Sequence, residues 1–212
     1  MGTTYMSNQT ENQKKSKVNL SKDLIIQTAL GMIEEQGIEG FSLRKLAQKL
    51  SCEAMSIYYH MKNKEQILDQ IVDFLISKII FQDIKEDPKE QLIHIAKQWR
   101  ALAKEYPKFF PILAVHPLDT KIGYNFMNSI LLIFKNANLP VKDASYFLRI
   151  LNYFLIGMGI DEAKGYQLAN HNLKLDEYPL LDEAKSYWTE KDQDKIFELG
   201  LNILLSNMLH MN

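Results

Sequence analysis

Residues 41–64 read FSLRKLAQKLSCEAMSIYYHMKNK, and no other stretch limits the possible folds as strongly. Ser42 suits an N-cap, because its hydroxyl can satisfy an orphan backbone N–H of a helix that starts after it. Leu43, Leu46, Ala47 and Leu50 then recur at helical spacing. Ser51 and Cys52 break the pattern. A second short helix over about 53–60 has Ile57 as its one strongly apolar inward residue, beside Ala54, Met55, Ser56, Tyr58, Tyr59 and His60. Two helices, a turn of three to four residues, and a second helix rich in small, polar and aromatic side chains describe a helix-turn-helix. In such a motif the first turn of the second helix enters the DNA major groove. The tyrosine hydroxyls, His60, Lys62 and Lys64 are then placed for phosphates. An ordinary helical hairpin inside an α-helical core fits the same spacing.

The segments GIEGFSLRKLAQKL, YYH and KNKEQILDQI strongly resemble the DNA-binding domain of the TetR family of bacterial repressors, most of all the tetracycline repressor branch. The resemblance runs without an evident gap over about residues 18–75. It implies a DNA-reading role for Ser42, Arg44, Lys45, Ala54, Met55, Ser56, Tyr58, Tyr59, His60 and Lys64. Arg44 matches a base-reading arginine, a side chain that can hold a guanine with two hydrogen bonds. Ala54 and Met55 replace a glutamine and a proline of that branch. The adenine-reading amide is therefore gone and a different operator is expected. Ser51 stands where the branch has a glycine in the turn, a backbone shape that serine adopts at modest cost.

Charge agrees with this division. Residues 14–66 hold nine Lys or Arg against six Asp or Glu, although the whole chain of 212 residues has a net charge of −1. The basic excess lies with the motif, as a DNA-binding unit requires. Hydrophobic residues make up 46%, with only nine glycines and six prolines, which favours a folded all-α chain. Cys52 is the single cysteine, so no internal disulfide forms and a reducing compartment is expected. Its expected role is small, apolar and buried. No run of about 18 uncharged apolar residues suggests a membrane span. The N-terminus has no secretory pattern, so the expected location is cytoplasmic.

Periodicity predicts nine to ten helices. A polar tail, 1–17, precedes a helix over about 22–36 that Gly37 ends, its inward stripe Leu24, Ile25, Thr28, Ala29, Met32 and Ile33. Ile38 and Phe41 plug the base of a three-helix core. Asn63 caps a helix from Lys64 to about Phe81, where Lys64 and the free N–H groups of the first turn suit a phosphate. Asp87 and Pro88 open the next helix, to about Glu105. Further helices are expected near 109–113, over about 119–136 and 141–163, around 180–188 and over about 192–209. Residues 164–175 read as a loop. The domain division is 1–17 tail, 18–66 helix-turn-helix domain and 67–212 ligand-binding and dimerisation domain.

The family resemblance also implies a homodimer on a palindromic operator in double-stranded DNA. The helices 143–163 and 192–209 would pair with their copies, and Gly157, Gly159 and Gly200 would permit close helix approach. It implies a small-molecule effector as well. Trp99, Phe110, Tyr124, Met127, Asn128, Phe147, Asn152 and Tyr153 are the candidate pocket residues, and they suit a mostly apolar ligand. Phe109, Phe126, Tyr146, Phe154 and Met158 belong to the same aromatic and apolar group. His94, Asn125 and Arg149 are further polar candidates. Each of these side chains also suits a plain core. A tetracycline–magnesium complex is disfavoured, because Ile80 or Ile79 fills the position of that branch's metal-binding histidine. No metal, other cofactor or catalytic constellation is expected. The five histidines lack ligand spacing, and the chain has neither a glycine-rich phosphate loop nor a visible cysteine–histidine pair. The resemblance implies repression released by an effector; a regulator lacking effector control, or an activator, fits the same residues.

Overall fold

The computed structural model describes residues 20–81, 87–164 and 177–209. The expected polar tail and nearly all of the expected loop at 164–175 lie outside them. Among the described residues the chain is all-helical, with ten α-helices and no strand. These are α1 (Lys22–Gln36), α2 (Leu43–Lys49), α3 (Ala54–His60), α4 (Lys64–Ser77), α5 (Pro88–Glu105), α6 (Phe110–Val115), α7 (Lys121–Asn136), α8 (Val141–Lys164), α9 (Pro179–Lys185) and α10 (Gln193–Leu209).

Most starts follow local chemistry. Ser21, Ser42, Asn63, Asp87 and Thr120 each accept a backbone N–H of the first turn they precede, as good N-caps do. Gln66 adds a second link at the start of α4. Asn63 Oδ1 accepts from Gln66 N at 2.8 Å, and Gln66 Oε1 accepts from Lys62 N at 2.6 Å. At the other end of α1, Gly37 has φ 75° and ψ 168°, a conformation that only glycine adopts without strain.

Helices α1–α3 enclose a small core. Ile25, Ala29, Ile33, Leu46, Ile57 and Met61 are buried there, and Phe41 closes its base. Ile38 is half-buried beside them, and Cys52 packs half-buried against the same core. The stripe of α1 is shifted from the expected one. Ile26 and Leu30 are buried, while Leu24 and Thr28 are only half-buried.

Helix α4 leaves this unit and runs against α1 on one side and α7 on the other. It ends at Ser77, four residues short of the expected Phe81. The apolar run continues, but the backbone of Ile80 finds its partners elsewhere. Gln98 Oε1 accepts from Ile80 N and Gln98 Nε2 donates to Ile80 O, both at 2.8 Å. One side chain of α5 thus satisfies both backbone groups, and Ile80 itself is exposed.

Beyond α4, helix α5 packs along α8, with α6, α7 and α10 around the pair. Gly159 lets α8 close on α6, since a Cβ there would stand 2.3 Å from the Phe110 ring. Gly200 faces the Phe154 ring between α10 and α8 in the same way. Close approach is therefore the reason for both glycines. Gly157 meets nothing.

Candidate functional site

The turn between α2 and α3 is made by Ser51 at φ 52°, the left-handed shape a glycine would hold at lower cost. It turns the first residues of α3 outward. Met55 is 73% exposed and Tyr59 is 87% exposed, although Ile57 between them is wholly buried. So much exposed apolar and aromatic surface on one seven-residue helix is unusual for a structural element. Tyr58 is exposed with them, Ala54, Ser56 and His60 are half-buried, and the rings of Tyr59 and His60 meet edge to face at 5.2 Å.

Side chains of α2 and α4 flank this helix. Arg44 and Lys45 are exposed on the first turn of α2. Ser42 Oγ accepts from Lys45 N at 3.3 Å, so its hydroxyl is occupied as a cap. Lys45 Nζ donates to Gly40 O at 2.8 Å. Lys64 Nζ donates to Ile38 O at 3.3 Å and lies 5.8 Å from the centre of the Phe41 ring. An ammonium has three donors, so this tether orients Lys64 and leaves it capacity for an anion. Lys49 behaves differently, because its ammonium is held by both carboxylate oxygens of Glu35 at 2.7–2.8 Å.

A second site lies between α5, α7 and α8. It is a cavity of about 100 Å³. Leu92, Ile95 and Trp99 come from α5, Phe126, Met127 and Ile130 from α7, and Leu148, Leu151 and Leu155 from α8. Leu118, between α6 and α7, completes the apolar wall, and Arg149 and Asn152 are its polar members. Of the residues that the sequence offers for a pocket, Trp99, Phe126, Met127, Arg149 and Asn152 reach it. The others sit elsewhere. Phe110 is fully buried against Trp99 and Gly159. Phe147 packs on Phe134. Tyr124 and Tyr153 point to the exposed surface. Asn128 borders a separate hollow with Lys135 and Val141. The aliphatic wall carried no sequence signal, because leucines lining a cavity have the same spacing as leucines in a core.

Polar contacts tie this part of the molecule to the helix-turn-helix. His116 Nε2 is 2.8 Å from Asp69 Oδ1 on α4. Thr120 Oγ1 donates to Asp73 Oδ1, also on α4, and accepts from Gly123 N at 3.0 Å. Glu34, on α1, accepts from Phe109 N at 2.7 Å and Lys108 N at 3.2 Å, so α1 caps the start of α6. Elsewhere on α5, Arg100 lies over the Phe197 ring and joins Glu162 of α8 to Asp194 of α10. Burial works against the Arg100 charge, but hydrogen bonds and the charges of Glu162 and Asp194 outweigh it and hold the guanidinium above its usual range. Among the described residues no group of three His, Cys, Asp or Glu side chains could hold a metal, and no helix is long and apolar enough to cross a membrane.

An exposed recognition-type helix on a compact three-helix unit, joined by a long helix to a larger helical domain with an apolar cavity, defines the class of helix-turn-helix regulators. Two family models match the chain. Residues 25–71 match the model described as bacterial regulatory proteins, tetR family, and residues 83–211 match the tetracyclin repressor-like C-terminal domain. The chain therefore belongs to the TetR family of bacterial transcriptional regulators. It is 24% identical to the class E tetracycline repressor protein of Escherichia coli, covering 88% of this chain and 89% of that protein. It is 26% identical to the class A protein from transposon 1721, with 89% and 90% covered. Among solved structures, ActR of Streptomyces coelicolor in complex with actinorhodin superposes with a TM-score of 0.76 at 22% identity, over 91% of this chain and 98% of that one. A possible TetR family regulator from Streptomyces coelicolor A3(2) superposes at 0.78 with 19% identity, over 91% and 100%.

Proposed function

We propose that this protein is a dimeric repressor whose release from its operator is driven by a small, mostly apolar effector. The observation that carries the DNA half is α3, a short helix anchored by Ile57 and outwardly exposed at Met55, Tyr58 and Tyr59, with Arg44 beside it. Arg44 reads a guanine, Met55 offers apolar contact to a thymine methyl, and Tyr58, Tyr59, His60, Lys45 and Lys64 take phosphates. One such helix reads only a few base pairs, so two are needed on a palindrome.

The dimer face is supported by a stripe that the protomer leaves uncovered. Tyr146, Ile150, Tyr153 and Gly157 recur along α8, and Ile196, Leu199 and Ile203 along α10, all exposed at helical spacing. Such contiguous apolar surface is characteristic of a protein interface. The division into residues 18–66 for DNA and 67–212 for effector and dimer follows, with α4 passing from one to the other. The cavity between α5, α7 and α8 is the effector site. Its free volume of about 100 Å³ is below the ~300 Å³ at which pockets for drug-sized ligands begin. An effector must therefore part the helices around it. Helix α7 of this wall packs on α4, and the segment before it holds Asp69 and Asp73 of α4, which makes effector binding and DNA binding mutually antagonistic by linkage.

The test is fluorescence anisotropy on the DNA flanking the protein's own gene, against scrambled DNA, across a salt series. Saturable binding to the native fragment at two protomers per site is expected. Equal binding to both DNAs overturns the sequence-specific reading.

A further inference from the structure

We infer that the effector presents a hydrogen-bond-accepting oxygen, a ketone or carboxylate on an apolar ring system, to the indole N–H of Trp99. This rests on the cavity being the effector site. The Trp99 side chain is 5% exposed, and its Nε1 has no hydrogen-bond partner. An unmet buried donor is costly, and native proteins keep few of them without a reason. Trp99 stands in the wall of the cavity, stacked at 6.1 Å on Phe126 and edge-on to Phe110 at 6.0 Å. Its ring is therefore fixed and cannot turn to find a partner.

The rest of the wall narrows the ligand class. Arg149 and Asn152 are the only other polar lining residues. Arg149 has donors alone, one already given to Tyr153 Oη at 2.9 Å. Asn152 has both donors and an acceptor. The cavity is thus rich in donors and poor in acceptors, framed by aromatic faces. A ligand that offers oxygen lone pairs completes it, whereas a pure hydrocarbon, or a ligand whose only polar groups are N–H donors, leaves Trp99 unmet.

A matched pair of probes tests this. 9-Fluorenone and fluorene share a flat tricyclic frame and differ by the carbonyl oxygen. Binding is read by thermal shift and by titration of the indole N–H resonances of the full-length protein. Trp188→Phe assigns the two signals. Fluorenone should bind about tenfold tighter than fluorene, equivalent to about 1.4 kcal/mol, and should move the Trp99 N–H resonance downfield where fluorene does not. In Trp99→Phe the preference should vanish. If both probes bind in the cavity with equal affinity and the Trp99 resonance does not move downfield, the acceptor assignment is overturned while the site stands. If neither probe perturbs Trp99 at saturating concentration, the site reading fails and the assignment with it. The resonance is read on the native protein, so the outcome does not depend on how well Trp99→Phe folds.

Discussion

His116 Nε2 lies 2.8 Å from Asp69 Oδ1, and two residues further along the chain Leu118 forms part of the cavity wall. Thr120, two residues further again, holds Asp73. A single five-residue segment therefore touches the cavity at its middle and α4 at both ends. It cannot move outward without pulling on two carboxylates of the helix that leads to the DNA-reading unit.

The first prediction follows from that segment. Leu118→Trp fills the cavity and displaces residues 116–120, so it mimics a bound effector. Affinity for the DNA flanking the gene should fall by about tenfold or more, because the binding-competent fraction shrinks. The dependence of log K on log salt should not change, since the bound complex keeps the same phosphate contacts. A changed slope, or unchanged affinity with a folded variant, would sink the proposed coupling.

Thr120 joins α7 to α4 through one hydroxyl. Its oxygen caps α7 by accepting from Gly123 N, and its hydrogen goes to the buried carboxylate of Asp73. Thr120→Val loses both. A lost cap costs about 1 kcal/mol, and a lost hydrogen bond to a charged group about 1.5–3 kcal/mol, so a urea series should show about 2–4 kcal/mol of destabilisation. Thr120→Ser should sit close to wild type. An equal loss in both variants would refute the hydroxyl's role.

Much of this was legible in the sequence because it is local. The caps at Ser42, Asn63 and Asp87, the start after Ser21 and the stop at Gly37 are each decided within a few residues, whereas the left-handed turn at Ser51 was legible only through the family resemblance. The reading failed where a distant side chain decides. Gln98 ends the regular part of α4 by taking both backbone groups of Ile80, and nothing near residue 80 announces it. Pocket residues were legible only in part for a similar reason. Tyr124 and Tyr153 have the composition of a lining but the rotational position of a surface, and that position depends on how α7 and α8 settle against α5.

Arg44 and Lys64 should separate by their kind of loss. Arg44→Ala removes a base contact, so it should cost about 1–3 kcal/mol at one base position of the operator and relax the preference there. Lys64→Ala removes a phosphate contact. It should weaken binding to every sequence alike and flatten the salt slope by about 0.9. Anisotropy on single-base operator variants, across salt, distinguishes them. If Arg44→Ala leaves every single-base preference intact, its base-reading role is wrong.

The exposed stripe of α8 and α10 makes a prediction about assembly. Ile203 is exposed on the protomer, so Ile203→Asp costs an isolated chain little. In a four-helix interface it would bury an unpaired charge, a large penalty. Sedimentation velocity should then give a dimer for wild type and a monomer for the variant, with helical content unchanged by circular dichroism. A dimeric Ile203→Asp protein would place the interface elsewhere.

Asp194 sets an acid limit on the contact between α10 and α5. Its hydrogen bond to Arg100, then the charges of Arg100 and Lys104, hold its carboxyl below the usual range. A carboxyl lowered on folding stabilises the native state above its unfolded value of about 3.9 and loses that contribution as pH falls through the folded value. Asp194→Asn lacks the ionised partner at every pH. It should be less stable than wild type at pH 7 and pH 5, and the gap should close as pH drops below about 4. Urea midpoints of both proteins at stepped pH test this. A gap that stays constant down to pH 3 would show that Asp194 contributes packing rather than charge, and would leave Glu162 as the partner that holds Arg100 in place.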